Sequence, residues 1–157
     1  MKKILSVVGT LAVLGAISTS VFAVEFEREI KARQSVMQIY AFNLGILGAM
    51  AKGEKEYEAG LAQTAANNLN AAILMNNGAM WPMGSDMSAP GLAGKTRAKA
   101  NIWTSFPKVV ETHKSLAVAS AAMADVAGTG LTAIRSNIGA VGKGCQSCHE
   151  AFRAPKK

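Results

Sequence analysis

Apolar residues recur at three- and four-residue spacing along most of this chain, and runs that alternate apolar and polar residues are nearly absent. The first pattern gives an α-helix one apolar face, whereas alternation is typical of a half-buried strand. Residues that favour helices, such as Ala, Met, Leu, Gln, Lys and Glu, dominate the composition. The sequence therefore predicts an all-α protein.

Helix-breaking residues divide this pattern into four predicted helices, residues 26–51, 55–76, 96–126 and 131–153. Short connections within the first pair and within the last pair favour antiparallel neighbours, and hence an up-down-up-down antiparallel four-helix bundle. The connection between the second and third helices is long and rich in proline and glycine, which is usual for a functional loop. Pro107 lies inside the third pattern, so that helix either starts later or kinks there.

The N-terminal residues have the composition of a secretory signal peptide. Lys2 and Lys3 precede an apolar stretch at 4–17, and the small residues of 21–23 form a cleavage site. The apolar stretch is short for a bilayer span, which needs about 20 residues, so no stable membrane insertion is expected. We therefore predict a signal peptide at 1–23 and one mature domain at 24–157.

Close to the C-terminus, Cys145-Gln146-Ser147-Cys148-His149 forms a Cys-x-x-Cys-His run. Two cysteines three positions apart on a helix lie on one face, about 4.5 Å apart along the axis. Two thioethers can then hold one haem while the adjacent histidine turns its imidazole toward the iron. This run is the attachment signature of haem c, and we predict one covalently attached haem.

Other interpretations of the two cysteines are a disulfide, a thiol redox pair or half of a zinc site. A redox pair of that kind usually lies in a βαβ unit, which is not predicted here. A four-ligand zinc site would need a second cysteine pair, but Cys145 and Cys148 are the only cysteines. An export signal also agrees with haem, since thioethers form outside the cytoplasm, and it predicts a periplasmic location.

The position of this run in the last helix resembles the cytochrome c' family, the class II c-type cytochromes. Most small c-type cytochromes carry the run near the N-terminus instead. Further matching segments cover almost the whole mature chain: Arg33-Gln34-Ser35, Trp81-Pro82-Met83-Gly84-Ser85, Asn101-Ile102-Trp103 and Arg153. The resemblance implies the four-helix bundle and its covalent haem.

The resemblance also implies which residues approach the haem. The family's distal position lies four residues after Arg33, and here it is Met37. Members with Leu or Phe there resemble five-coordinate gas binders, whereas members with methionine resemble low-spin carriers such as the cytochrome c-556 branch. The resemblance thus implies His149 and Met37 as axial ligands. Arg33 could be a surface charge, but its seam position one turn before Met37 favours a haem propionate as a buried anionic partner. A helical methionine is more often core packing, and the loop offers the rivals Met80, Met83 and Met87.

Three functions are compatible with these residues. The first is a one-electron carrier of the periplasm, in which imidazole and thioether ligands persist in both oxidation states. The second is a five-coordinate cytochrome c' that binds nitric oxide or carbon monoxide, which requires Met37 off the iron. The third is a thiol oxidoreductase that uses free Cys145 and Cys148. We favour the first, and no enzyme activity is expected.

The formal charge is +7, from 17 Lys and Arg against 10 Asp and Glu. This balance favours periplasmic redox proteins with acidic docking surfaces as partners, and no basic stripe with interleaved aromatic residues indicates nucleic-acid binding. Basic residues gather near the haem-bearing end: Lys143, Arg153, Lys156 and Lys157. By analogy with the family, a homodimer through the first two helices is possible, with Tyr40 or Phe42 supplying an apolar patch.

Three further residues have ordinary structural interpretations. His113, the only other histidine, lies beside charged residues and is interpreted as partly exposed and non-ligating. Trp81 and Trp103 are interpreted as packing in the haem pocket or in the loop.

Overall fold

The computed structural model describes residues 26–156 of the 157-residue chain. The predicted signal peptide therefore lies outside the described residues, and the domain boundary at residue 24 stays a prediction. Five α-helices follow one another: α1 (Glu27–Lys52), α2 (Ala59–Leu74), α3 (Asn101–Thr104), α4 (Phe106–Val126) and α5 (Leu131–Phe152). Between residues 26 and 156, extended pairing is limited to two isolated bridges.

The four long helices form an antiparallel bundle. α1 packs against α2 and α5, and α4 packs against the same two helices from the other side. Their apolar faces meet in one core that includes Leu47, Leu69, Met123, Ile134 and Val141. The predicted all-α four-helix bundle is confirmed.

Local chemistry explains where the helices begin and end. Gly53 ends α1 at φ 80°, a left-handed conformation that glycine adopts without strain. The Glu58 carboxylate accepts hydrogen bonds from the Gly60 and Leu61 amides and so caps α2. Pro107 lies in the first turn of α4, where its missing N–H costs no helical hydrogen bond. The third predicted helix therefore starts later, rather than kinking at the proline.

The helix that carries the cysteines packs closely on α4. A Cβ atom added to Gly144 would lie 3.0 Å from the Leu116 Cα atom and 3.1 Å from the Leu116 Cβ atom. Only glycine, which has no side chain, allows α5 to approach α4 this closely. Gly144 lies one position before Cys145.

The connection between α2 and α3, residues 75–100, is here called the strap. It runs across the end of the bundle where α5 finishes and pairs with that end. The Lys99 amide donates to the Phe152 carbonyl at 2.9 Å, and the Ala154 amide donates to the Arg97 carbonyl at 2.8 Å. The strap thus covers the haem-bearing end, as its length and composition suggested.

Tyr40 and Phe42, the two residues predicted as dimer contacts, differ in exposure. Tyr40 is 7% exposed, and its hydroxyl donates to the Ala72 carbonyl at 3.1 Å, which joins α1 to α2 inside one bundle. The prediction that Tyr40 supplies a surface patch is therefore wrong. Phe42 is 69% exposed and remains available.

Candidate haem-attachment site

The two cysteines lie on the last turns of α5 and face inward. Both are free thiols of intermediate exposure, and Cys145 packs against the bundle core. Cys148 follows one turn later, close to Thr112 of α4. His149 is also half-buried, so the three residues of the motif stand together at one end of the bundle.

A cavity of about 700 Å³ opens beside this motif. That volume lies within the range of cofactor and ligand sites. Leu44 contributes an apolar side chain from α1, while Cys145 and His149 lie on the α5 side. The mouth is lined by charged residues from the strap and the chain end, namely Arg97, Lys99, Glu150, Arg153 and Lys156.

The titration behaviour of the motif suits haem attachment better than thiol chemistry. Burial raises the pKa of the Cys145 thiol, and the adjacent Cys148 raises it further. Burial likewise raises the pKa of Cys148, although Thr112 and Arg153 oppose it. Reactive redox cysteines have lowered pKa values instead, so the thiol oxidoreductase interpretation loses support.

His149 is held in the form that binds metals. Burial lowers its pKa, and the positive charges of Arg153 and Arg97 lower it further. A neutral imidazole is the ligating form of histidine.

These residues fit a covalently attached haem. The protonated Cys145 thiol and the neutral His149 imidazole line one cavity, and Cys148 lies one helical turn beyond Cys145. The cavity has an apolar wall at Leu44 and a largely cationic mouth for the haem carboxylates. Cys145 and Cys148 would hold the porphyrin, and His149 would hold its iron. Among residues 26–156, no group of three or more His, Cys, Asp or Glu side chains could hold a separate metal ion.

Met37 lies on α1 and is 36% exposed. It stands seven residues before Leu44, two helical turns away on the same face. Leu44 lines the cavity, but Met37 is not among its lining residues. The structure therefore brings His149 to the cavity without Met37, and sulfur ligation stays a prediction. Of the rival methionines, Met83 is largely exposed and Met80 packs against the core.

Arg33 has a role that the sequence did not suggest. Its side chain is 3% exposed and binds the strap. Nη1 donates to Ser85 Oγ at 2.6 Å and to the Met80 carbonyl at 3.3 Å, while Nη2 donates to the Ser85 carbonyl and to Thr96 Oγ1 at 3.1 Å. The guanidinium also stacks on Trp81, 4.4 Å from the ring centroid. Arg33 holds the strap to α1, and it does not line the cavity. The propionate contact thus stays a prediction.

A second cluster beside Arg33 completes the strap. Trp103 Nε1 donates to Asp86 Oδ2 at 2.7 Å, and Ser88 donates to the other carboxylate oxygen. Burial acts to raise the pKa of Asp86, but these hydrogen bonds outweigh it and lower the pKa. Asp86 therefore stays ionised near Arg33, and both tryptophans pack in and around the strap, as predicted.

His113 lies away from the cavity. It is exposed on α4, and its Nε2 atom lies 3.1 Å from the Ile73 carbonyl of α2. This position agrees with the interpretation of His113 as a non-ligating residue.

Sequence reasoning missed Arg97 and Lys99, the two strap cations at the cavity mouth. They lie in a segment without periodicity, so nothing in the pattern indicated which way their side chains point. The sequence does contain one indication of this pair of charges: Arg97 and Lys99 lie two residues apart, just before α3.

The fold and the site together define a c-type haem protein: a helical bundle whose last helix carries the Cys-x-x-Cys-His motif, with Cys145 and His149 lining one cavity. The family profile described as Cytochrome C' matches residues 28–153. The chain therefore belongs to the cytochrome c' family, whose cofactor is covalently bound haem c.

Individual relatives agree with this assignment. Cytochrome c-554 of Cereibacter sphaeroides is 36% identical over 129 residues, which cover 82% of this chain and 95% of that protein. Cytochrome c' of Halomonas halodenitrificans is 37% identical over 83% of this chain and 98% of its own. The solved structure of cytochrome c' from Rhodobacter Spheriodes superposes with a TM-score of 0.79 at 30% identity, covering 84% of this chain and 99% of that chain.

Proposed function

We propose that this protein is a periplasmic haem c protein whose iron is bound by His149 on one side and accepts nitric oxide or carbon monoxide on the other. The observation that carries the proposal is the α1 side of the cavity, which is lined by Leu44 and not by Met37. Leucine offers no atom that could bind iron, so Leu44 would leave the iron a position for a small ligand. The haem, when bound, supplies an iron with one position for a small ligand.

The proposal is also supported by relatives. Several are cytochromes c' with 31–37% identity to this chain. A solved structure of cytochrome c prime from Alcaligenes xylosoxidans contains bound nitric oxide; at 23% identity it shares the fold with this chain. An apolar wall suits neutral diatomic molecules, because it excludes water and binds no charged competitor.

A second candidate is the periplasmic one-electron carrier with Met37 as sixth ligand. It is favoured by the position of Met37 on the same face of α1 as Leu44, four residues after Arg33. For this candidate to hold, the Met37 sulfur would have to reach the cavity when haem is bound. In this candidate an acidic redox protein would dock on the cationic mouth of the cavity. Neither candidate involves enzyme turnover or nucleic acid.

Carbon monoxide distinguishes the two candidates. We expect carbon monoxide to bind the reduced parent protein rapidly, and Met37→Leu to change its affinity by less than about threefold, since Met37 lies off the iron. The measurement is a visible-spectrum titration of the reduced protein. Met83→Leu, an exposed strap methionine, is the matched control. A parent that resists carbon monoxide while Met37→Leu binds it would support the carrier and exclude the open site.

The periplasmic location depends on the predicted signal peptide at 1–23. Among residues 26–156, none of the helices combines the length and apolar composition needed to cross a bilayer. Cytochromes c' among the relatives support the same compartment.

A homodimer is supported by the outer face of α1. Phe42 is 69% exposed and Ile39 is 48% exposed, one helical turn apart. One relative with 31% identity, a cytochrome c', shows ligand-controlled dimer dissociation.

Phe42→Lys is expected to shift the protein from dimer to monomer, because a charge would be buried between two copies. Sedimentation equilibrium measures this, with the exposed Val118→Lys of α4 as control. A monomeric parent, or a dimer that survives Phe42→Lys, would contradict the proposal.

A further inference from the structure

The two strap cations at the cavity mouth are fixed in place by hydrogen bonds to the end of α5. Lys99 Nζ donates to the Glu150 carbonyl at 3.0 Å and to the Ala151 carbonyl at 3.3 Å. Arg97 Nη1 donates to the Ala154 carbonyl at 3.4 Å. These bonds limit how far either charge can move away from the α5 end.

The carbonyls that Lys99 binds belong to the last turn of α5, which lacks helical partners. Such carbonyls carry the negative end of the helix dipole, and a cation there is favourable. The same turn begins at His149. The strap therefore places a positive charge next to the backbone of the residue that binds the iron.

Charges of both signs face this cavity, but the positive ones outnumber the negative. Among the described residues, the cavity is lined by one carboxylate, Glu150, and by four cations: Arg97, Lys99, Arg153 and Lys156. The Glu150 carboxylate accepts a hydrogen bond from Gln146 at 2.6 Å and makes no ion pair with these four residues in the described structure. The haem carboxylates would add negative charge that these cations can balance.

We propose that Arg97 and Lys99 are potential-setting residues, which raise the reduction potential of the haem iron by holding two positive charges on the His149 side of the cavity. Ferric haem carries one more positive charge than ferrous haem. A fixed cation nearby therefore disfavours the ferric form and shifts the one-electron equilibrium toward ferrous iron. The proposal requires His149 as axial ligand and holds whether the opposite position is open or occupied.

Spectroelectrochemical titration of the haem-loaded protein tests this proposal. At the electrode potential where the parent is half reduced, we expect Arg97→Gln and Lys99→Gln each to lower the ferrous-to-ferric ratio about two- to fourfold. The double variant should lower it by about the product of the two factors. The effect should shrink at high salt, because both side chains border solvent.

Two controls separate charge from structure. Lys99→Arg keeps the charge and is expected to keep the parent ratio. Lys55→Gln removes an exposed lysine between α1 and α2, at the opposite end of the bundle, and is also expected to leave the ratio unchanged. Ratios in Arg97→Gln and Lys99→Gln that match Lys55→Gln would overturn the proposal. So would an equal loss in Lys99→Arg and Lys99→Gln, since the effect would then be that of the helix cap alone.

This outcome is independent of gas binding. A protein that does not bind carbon monoxide can still show the predicted change in the ferrous-to-ferric ratio. A protein that binds carbon monoxide can fail to show that change.

Discussion

Alanine at both Cys145 and Cys148 is expected to abolish covalent haem attachment completely. Both thiols line or adjoin the one cavity that also contains His149, and no other cysteine exists in the chain. Without them, haem is held only by His149 and by packing, so acid-acetone should extract it fully. Each single variant keeps one thiol and is expected to retain a weaker, singly bonded haem.

The measurement is the mass of the exported protein together with acid-acetone extraction of its haem. Ser147→Ala is the matched control, because Ser147 is exposed between the two cysteines and bonds only to the Lys143 carbonyl within the same helix. It should retain all of its haem. Haem that resists extraction from the double variant would contradict the assignment of these thiols.

Arg33→Leu is expected to lower the free energy of unfolding by about 3–5 kcal/mol, which is typical of removing one partner from a buried charged network. The substitution removes four hydrogen bonds to the strap and leaves the Ser85 and Met80 carbonyls without a donor. It also removes a positive charge from the neighbourhood of Asp86, a buried carboxylate whose hydrogen bonds to Ser88 and Trp103 remain. Arg33→Lys should cost less, since it restores the charge without the planar fork.

Denaturant unfolding of the haem-loaded protein measures this loss. Arg28→Leu is the control: Arg28 lies on the same helix, is almost fully exposed, and makes only a weak contact with Glu29. It should change stability by less than about 0.5 kcal/mol. Equal effects at the two positions would show that the strap is not held by Arg33.

The helices and the haem motif could be predicted because each is encoded locally. Three- to four-residue periodicity identifies α1, α2, α4 and α5, and the Cys-x-x-Cys-His run needs no knowledge of the rest of the chain. Pro107 left two alternatives, since a proline is tolerated in a first turn and disruptive further inside. The structure decides between them: α3 ends at Thr104, and Pro107 lies in the first turn of α4.

The role of Arg33 could not be predicted, because two of the four atoms that accept its hydrogen bonds are backbone carbonyls, which any residue could supply. The carbonyls of Met80 and Ser85 accept hydrogen bonds from Arg33 because the path of the strap brings them close to it. No sequence pattern describes that path. The prediction that Tyr40 supplies a surface patch was wrong for a related reason. Its side chain belongs to the core, and the Ala72 carbonyl that accepts a hydrogen bond from its hydroxyl lies on another helix.

The strap joins parts of the chain that are far apart in sequence. Through Arg33 it is bonded to the beginning of α1, and through Lys99 and Arg97 it is bonded to the end of α5. Opening either attachment exposes the other, so the first described helix and the last belong to one cooperative unfolding unit. Amide exchange at Arg153 and Ala154 is then expected to depend on a guanidinium more than a hundred positions upstream.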